Sequence, residues 1–583
     1  MAATGAAEPA RRNALRRQLS ESSNVNDRSG ARAEPLDVLL ADAALGSYRR
    51  FVPGMAGVKL GLGLVRKPRV LPRRGWGLAA ELGRIVVGTS QVQPSPRDRR
   101  FADPAWTENP LLRRLAQGYI AASTTAEAIV DDADLDWASA QRIEFITENL
   151  IDALSPSNSP LTNPQALKAG VDTAGLNFLR GAANFISDMS APPRIPSMVD
   201  HTPYRLGENI AATPGAVVLR TEMFELIQYQ PQTPTVLSRP LLVIPPMINK
   251  FYVMDLAPGR SMAEYLVQHG IQVFVVSWRN PDARHRDWGF DSYAQAILDA
   301  LDAVQQVTGA ERVVLYGACS GGIVSSMTAA HLAAIGDSTR LAGLTLVVTV
   351  LDQSRAGLAG AIVDRRTADA AAAVSARKGY LDGRTLAEVF AWLRPGDLVW
   401  NYWVNNYLLG KSPPAFDILF WNADVTRMPA RLHRDFLELA VENALTRPGQ
   451  AQLLGSPVDL GSVKTDAYVV AGIADHLSDW ESCYRTAHLL GGDTRFVLST
   501  SGHIAAIVNP PGNPKAKYQV SEQNPKDPAE FVKTAQRVDG TWWTDYVEWL
   551  QERCGPETPA PTELGGGGLE PLADAPGTYV LEK

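Results

Sequence analysis

The stretch that most restricts the fold is RVVLYGACSGGIVSSM, residues 312–327. An apolar, β-branched run stops on Gly317, Cys319 stands midway between Gly317 and Gly321, and small and apolar residues at helical spacing follow. This is the form of a strand turning sharply into a helix. The residue at the apex of such a turn takes a strained backbone, and glycines two positions to either side remove the Cβ atoms that would clash with it. The turn also sets the thiol at the positive end of the helix, where the dipole and free N–H groups favour a thiolate. Most free cysteines are instead small buried hydrophobes, so the motif by itself leaves the reactivity of Cys319 open.

Strand-like runs alternate with helical ones around this turn. AVVLRTEMFELIQYQ, RPLLVIPPMI, IQVFVVSW, LTLVVTVLD, DAYVVAG and TRFVLSTSG read as strands, and GRSMAEYLVQHG and FDSYAQAILDALDAVQQVTG as helices, the signature of an α/β sheet. With the cysteine turn, the pattern predicts an α/β-hydrolase fold, in which an acid and then a histidine follow the nucleophile, each at the carboxyl end of a later strand. Asp475 stands just after the run DAYVVAG, where it would otherwise be an ordinary turn or cap aspartate. His503 follows TRFVLSTSG. His476 is a weaker base, because it directly follows Asp475 and cannot easily make the bond that orients an imidazole. In this reading His503 takes the thiol proton, while Asp475 holds the imidazole tautomer or helps His503 deprotonate an attacking hydroxyl. The oxyanion would be met by the N–H of Ser320 and by one in the loop after LLVIPP, around Ile248. An acyl group on cysteine remains an activated thioester, which points to transfer from a thioester donor in preference to hydrolysis.

Composition narrows the alternatives. The chain has 583 residues, 45% of them hydrophobic, and a formal net charge of −6; phosphate neutralisation needs a concentrated basic surface, so nucleic acid is not the expected main partner. Three cysteines without regular spacing, Cys319, Cys483 and Cys554, argue against a disulfide framework and for a reducing compartment. Cys483 and Cys554 have no comparable turn around them and read as incidental. No apolar run reaches the ~18 residues of a membrane span, and the N-terminal arginines are not followed by an apolar signal core, so a cytoplasmic protein is expected.

Residues 1–35 read as a disordered tail and 36–200 as a mostly helical N-terminal domain, with ENPLLRRLAQGYIAA and ASAQRIEFITENLIDAL spacing apolar residues by three and four. Within it, Lys59, Arg66, Lys67, Arg69, Arg73 and Arg74 interleave with apolar residues as in a surface-binding segment, but Pro68 and Pro72 favour a solvated face with a loop at its prolines. The proline-rich APPRIPSMVD marks the passage to a catalytic domain over 201–560. An inserted cap is expected at about 352–455, containing the aromatic WNYWVNNYLLGKSPPAFDILFW, and the Gly/Pro-rich residues 561–583 read as a flexible tail.

The motifs RRFADPAWTENPLLRR, PLLVIPPMINKFYVMDL, VFVVSWRNP, GACSGG, RPGDLVWNYWVNNYLLGKSPPAFDILFWNAD, GIADHLSDW and SGHIAAIVNPPGNPKAKY, in this order, resemble the polyhydroxyalkanoate synthases over nearly all of residues 100–583. The resemblance implies polymerisation of (R)-3-hydroxyacyl-CoA into storage polyester, with nucleophile Cys319, acid Asp475 and base His503. It also implies a homodimer at the surface of polyester granules, where granule-associated proteins are further partners, no metal, and no cofactor beyond the CoA of the substrate. GACSGG and APGTYVLEK resemble the class II, medium-chain-length branch. Two other functions fit the same residues: a cysteine-type hydrolase (thioesterase, lipase or polyester depolymerase) and a non-catalytic granule-coat protein.

Overall fold

The computed structural model describes residues 36–46, 49, 51–96, 98–354 and 365–583; the tail expected over 1–35 lies outside them. The chain divides into two compact units, one of Leu45–Thr202 with Arg384–Phe416, the other containing Pro203–Gly383 and Asp417–Lys583.

The first unit is helical among its described residues. Its helices include α1 (Gly54–Arg66), α2 (Val70–Val87), α3 (Pro110–Asp132), α4 (Trp137–Ala153) and α5 (Leu176–Ser190). Side-chain caps set several of the starts. Asn109 accepts the N–H groups of Leu111 and Leu112 ahead of α3, and Asp136 accepts that of Ser139 in α4, each supplying a partner that the first helical turn lacks. The basic segment breaks at Pro68, whereas Pro72 falls in the first turn of α2, where a missing N–H costs little. Lys59, Lys67, Arg73 and Arg74 pair with Asp136, Asp134 and Asp132 on largely exposed side chains.

The expected cap insertion does not hold together as one body. Residues 384–416 belong to the helical unit, while 417–455 stay with the sheet. The cause lies in α5: a Cβ at Gly181 would collide with the Tyr407 carbonyl, Asn177 and Asn184 donate to the carbonyls of Leu408 and Asn406, and Phe185 packs edge-on against Trp403 and Tyr407. The aromatic run thus finds its partner on a helix more than two hundred residues earlier.

The second unit is built on an eleven-stranded sheet. In chain order its strands are β1 (Gly215–Arg220), β2 (Phe224–Tyr229), β3 (Leu241–Ile244), β4 (Val273–Trp278), β5 (Val313–Ala318), β6 (Leu341–Val347), β7 (Ala467–Gly472), β8 (Thr494–Ser499), β9 (Lys517–Val520), β10 (Gln536–Asp539) and β11 (Ala573–Asp574). Their spatial order is β10-β9-β8-β7-β6-β5-β3-β4-β2-β1-β11. The block from β4 to β8 is parallel and its neighbours on both sides are antiparallel, giving the α/β-hydrolase arrangement. Strands β3 to β7 are buried throughout, as expected of parallel strands covered on both faces, which read as unbroken apolar runs. Helices α6 (Phe290–Thr308), α7 (Ser320–Ala334), α8 (His503–Ile507) and α9 (Trp542–Arg553) connect or follow these strands. The central helix α7 is buried without a break from Ser320 to Leu332.

The flexible tail expected over 561–583 is instead part of the fold. Ala573 and Asp574 pair with Val217 and Ala216 at the sheet edge, and Tyr579 and Val580 are buried. A Cβ at Gly567 would collide with the Gln306 carbonyl at the end of α6. Glycines that permit a close backbone approach have the same composition as a linker.

Candidate active site

Strand register brings the ends of several strands to one level. Ile244 of β3 lies opposite Gly317 of β5, Ala318 opposite Val347 of β6, and Gly472 of β7 opposite Ser499 of β8. The loops that leave these ends carry Ile248, Cys319, Asp475 and His503. This is the carboxyl edge where parallel α/β sheets place ligands.

Cys319 sits at φ +49°, ψ −118°, a strained conformation for a residue with a side chain. It is held there by its N–H donating to Val347 O at 2.9 Å and by glycines that nothing larger could replace. A Cβ on Gly317 would lie 2.6 Å from Gly322 Cα, one on Gly321 would lie 2.5 and 2.6 Å from the carbonyl oxygens of Ile244 and Pro245, and one on Gly322 would collide with Thr349. Cys319 is half-buried, at the start of α7.

Asp475 is buried and uses its two oxygens differently. Oδ1 accepts the N–H groups of Leu477 and Ser478, each at 2.8 Å, while Oδ2 lies 2.8 Å from His503 Nδ1. The turn aspartate and the imidazole partner are therefore one residue. With Nδ1 so engaged, Nε2 is the ring nitrogen available to the Cys319 thiol, which also interacts with His503. Asp475 and His503 are thus joined directly, and strand register brings the loops carrying Cys319, Asp475 and His503 to the same edge of the sheet. His476 is not part of the Asp475–His503 bond.

Burial alone would lower the His503 pKa, but the charge and hydrogen bond of Asp475, with the Cys319 side chain, raise it well above the usual 6.5. Between 6.5 and the raised value the folded protein holds a proton that the unfolded chain has released, so this contribution is full below 6.5 and is lost as pH rises. The stability lost in His503→Gln is expected to be greatest near about pH 6 and to shrink toward about pH 9, by on the order of 1 kcal/mol per pH unit. Urea unfolding of both proteins across that range measures it, and a gap that widens with pH would contradict the assignment.

Ser320 is fully buried and has a function that the sequence reading missed: its Oγ accepts the Met247 N–H at 3.1 Å, tying the loop after β3 to the start of α7. Ile248, the next residue, is buried in the same loop, and with the Met247 N–H committed to Ser320 it is the loop's candidate oxyanion donor. Burial pushes the Cys483 thiol well up and that of Cys554 up to about 12, so both stay protonated and neither resembles a nucleophile. Among the described residues no group of three or more His, Cys, Asp or Glu is placed to hold a metal ion, and no helix is long and apolar enough to cross a membrane.

A family model described as "Poly-beta-hydroxybutyrate polymerase (PhaC) N-terminus" matches residues 97–266, and the alpha/beta hydrolase fold model matches 240–510. Poly(3-hydroxyalkanoate) polymerase 2 of Ectopseudomonas oleovorans is 46% identical over 87% of this chain and 90% of its own. Poly(3-hydroxyalkanoate) polymerase 1 of the same organism is 44% identical over 89% and 92%. Among solved structures, an esterase from Exiguobacterium antarcticum aligns with a TM-score of 0.30 and 12% identity over 50% of this chain and 92% of its own. With 46% identity across nearly the full length of a curated relative, the chain belongs to the poly(3-hydroxyalkanoate) polymerases, acyltransferase-type enzymes of the α/β-hydrolase superfamily.

Proposed function

We propose that this chain polymerises (R)-3-hydroxyacyl-CoA through a covalent thioester on Cys319. The observation that carries the reading is a strained, glycine-flanked cysteine on the same sheet edge as an imidazole whose Nδ1 is held 2.8 Å from Asp475 Oδ2. The proton that His503 holds on Nε2 is the one the thiol has given up, so sulfur attacks the acyl carbonyl of the substrate as a thiolate beside the imidazolium. The developing oxyanion accepts the N–H of Ser320 and that of Ile248. Collapse breaks the bond to CoA sulfur, which leaves as a thiol with the proton from His503, and the acyl group remains on Cys319. The hydroxyl of another acyl unit then gives its proton to His503 and attacks this thioester, forming an ester bond and restoring the cysteine. Exchange of one thioester for another is nearly balanced, so the acyl group keeps the activation needed to form the ester. In this reading the enzyme is a homodimer working at the surface of the polyester it makes, and neither a metal nor a resident cofactor takes part.

Incubation with (R)-3-hydroxyacyl-CoAs of short and medium chain length, following CoA release and analysing the product, tests the proposal. Polymer is expected, and its composition reads out which monomer length the enzyme prefers. CoA release with free hydroxy acid and no polymer would favour a cysteine hydrolase instead. A protein that binds polyester but releases no CoA would be a coat protein.

A further inference from the structure

Lys250 lies two residues beyond Ile248 and is 2% exposed. A buried ammonium is costly unless its donors are met. Here Nζ donates to the carbonyl oxygens of Tyr579 at 3.2 Å and Glu582 at 2.6 Å, which lie 329 and 332 residues further along the chain.

That distant segment is itself firmly seated. Glu225 of β2, fully buried, accepts the N–H groups of Thr578 and Tyr579 at 2.9 Å each and the Thr578 hydroxyl at 2.8 Å. Gly577, at φ +77°, precedes them where a Cβ would collide with the Glu225 carboxylate. Arg279 lies 4.1 Å over the Tyr579 ring and 3.3 Å from the Glu582 carboxylate, which also accepts the Asn280 N–H at 3.2 Å.

On its main-chain side, Lys250 belongs to the loop that runs back to Ser320. Its carbonyl accepts Trp421 Nε1 at 2.8 Å, Asn249 bridges to Val425, and the Met247 carbonyl accepts Thr426 Oγ1 at 3.3 Å. The Met247 N–H completes the path at Ser320 Oγ. We infer that Lys250 and residues 577–583 form a strap that sets the position of the Met247–Ile248 loop, and with it the second oxyanion donor. The inference rests on the acyl-transfer reading of the site. Lys250 is a positioning residue, acting on the reacting carbonyl through Ile248 and not by touching it.

Two variants test the strap: Lys250→Met, which keeps the stem without the donors, and a chain ending at Val580, which removes the Glu582 carbonyl and carboxylate. Three readouts separate positioning from general damage: kcat and KM for CoA release, the nitrophenol burst from p-nitrophenyl butyrate, and the rate at which iodoacetamide alkylates Cys319. Acylation needs the oxyanion donors, whereas alkylation needs only a reactive, accessible sulfur. Both variants are expected to lower kcat and the burst rate about 100-fold, the scale of a small misplacement at a reacting centre, with KM and alkylation unchanged within about twofold.

Unchanged kcat and burst in both variants, or alkylation falling in parallel with them, would overturn the strap. A wild-type chain inert toward every hydroxyacyl-CoA but showing a Lys250-dependent ester burst would sink the proposed substrate and leave the strap standing.

Discussion

Replacing Cys319 with alanine is expected to reduce CoA release from (R)-3-hydroxyacyl-CoA by about 10⁶-fold, the scale seen when the nucleophile of a comparable relay is removed. Two neighbouring groups are poorly placed to take over. Ser320 is the adjacent hydroxyl, but its Oγ is fully buried and already accepts the Met247 N–H, and Cys483 is buried with its thiol pushed well up. Folding should tolerate the change. Cys319 is only half-buried, and the strain at φ +49° is borne by main-chain contacts such as the Cys319 N–H to Val347 O bond, which alanine keeps. A melting temperature within a few degrees of wild type, together with loss of the acyl-enzyme in intact-mass measurements, is the expected pairing. Retention of even about a hundredth of the wild-type rate would mean that the acyl group does not pass through this sulfur.

How much of this was legible in the sequence depended on whether the signal was local. RVVLYGACSGG and AYVVAG each carry an apolar run with a Val-Val pair that ends where chemistry begins, and they become β5 and β7 with Cys319 and Asp475 just past their ends. The glycines at 317 and 321 announced a crowded turn before the carbonyls and side chains crowding it were known. What could not be read was pairing at a distance. The aromatics of residues 396–408 suggest a self-contained cap, yet their partner is α5, reached across Gly181. The glycines of 565–568 look like a linker, but Gly567 lets the backbone pass close to Gln306. Lys250 and Glu225 read as ordinary charged residues, and their buried service to residues 577–583 appears only in three dimensions. Ser320 was expected to contribute its N–H; its side-chain bond to Met247 left no trace in spacing or composition.

Asp475→Asn tests the other end of the relay and should be nearly as severe, lowering kcat by about 10⁴-fold near neutral pH. The reasoning follows from how the carboxylate is divided. Oδ1 accepts two backbone N–H groups, from Leu477 and Ser478, so the asparagine carbonyl is drawn to that side and the NH₂ is turned toward His503 Nδ1. Nδ1 must then accept a hydrogen bond, which puts the proton of the neutral ring on Nε2, the nitrogen that has to take the thiol proton. The volume is unchanged and the turn keeps its bonds, so the protein should fold normally. Because the lesion lies in proton acceptance, iodoacetamide alkylation of Cys319 should slow along with CoA release, and both should recover as rising pH lets solvent remove the thiol proton. That pattern is opposite to the one expected for Lys250→Met, in which alkylation persists while acylation fails. A loss of less than about tenfold in Asp475→Asn, or a loss that raising the pH does not relieve, would show that the bond at 2.8 Å between Asp475 and His503 does not set the tautomer of the base.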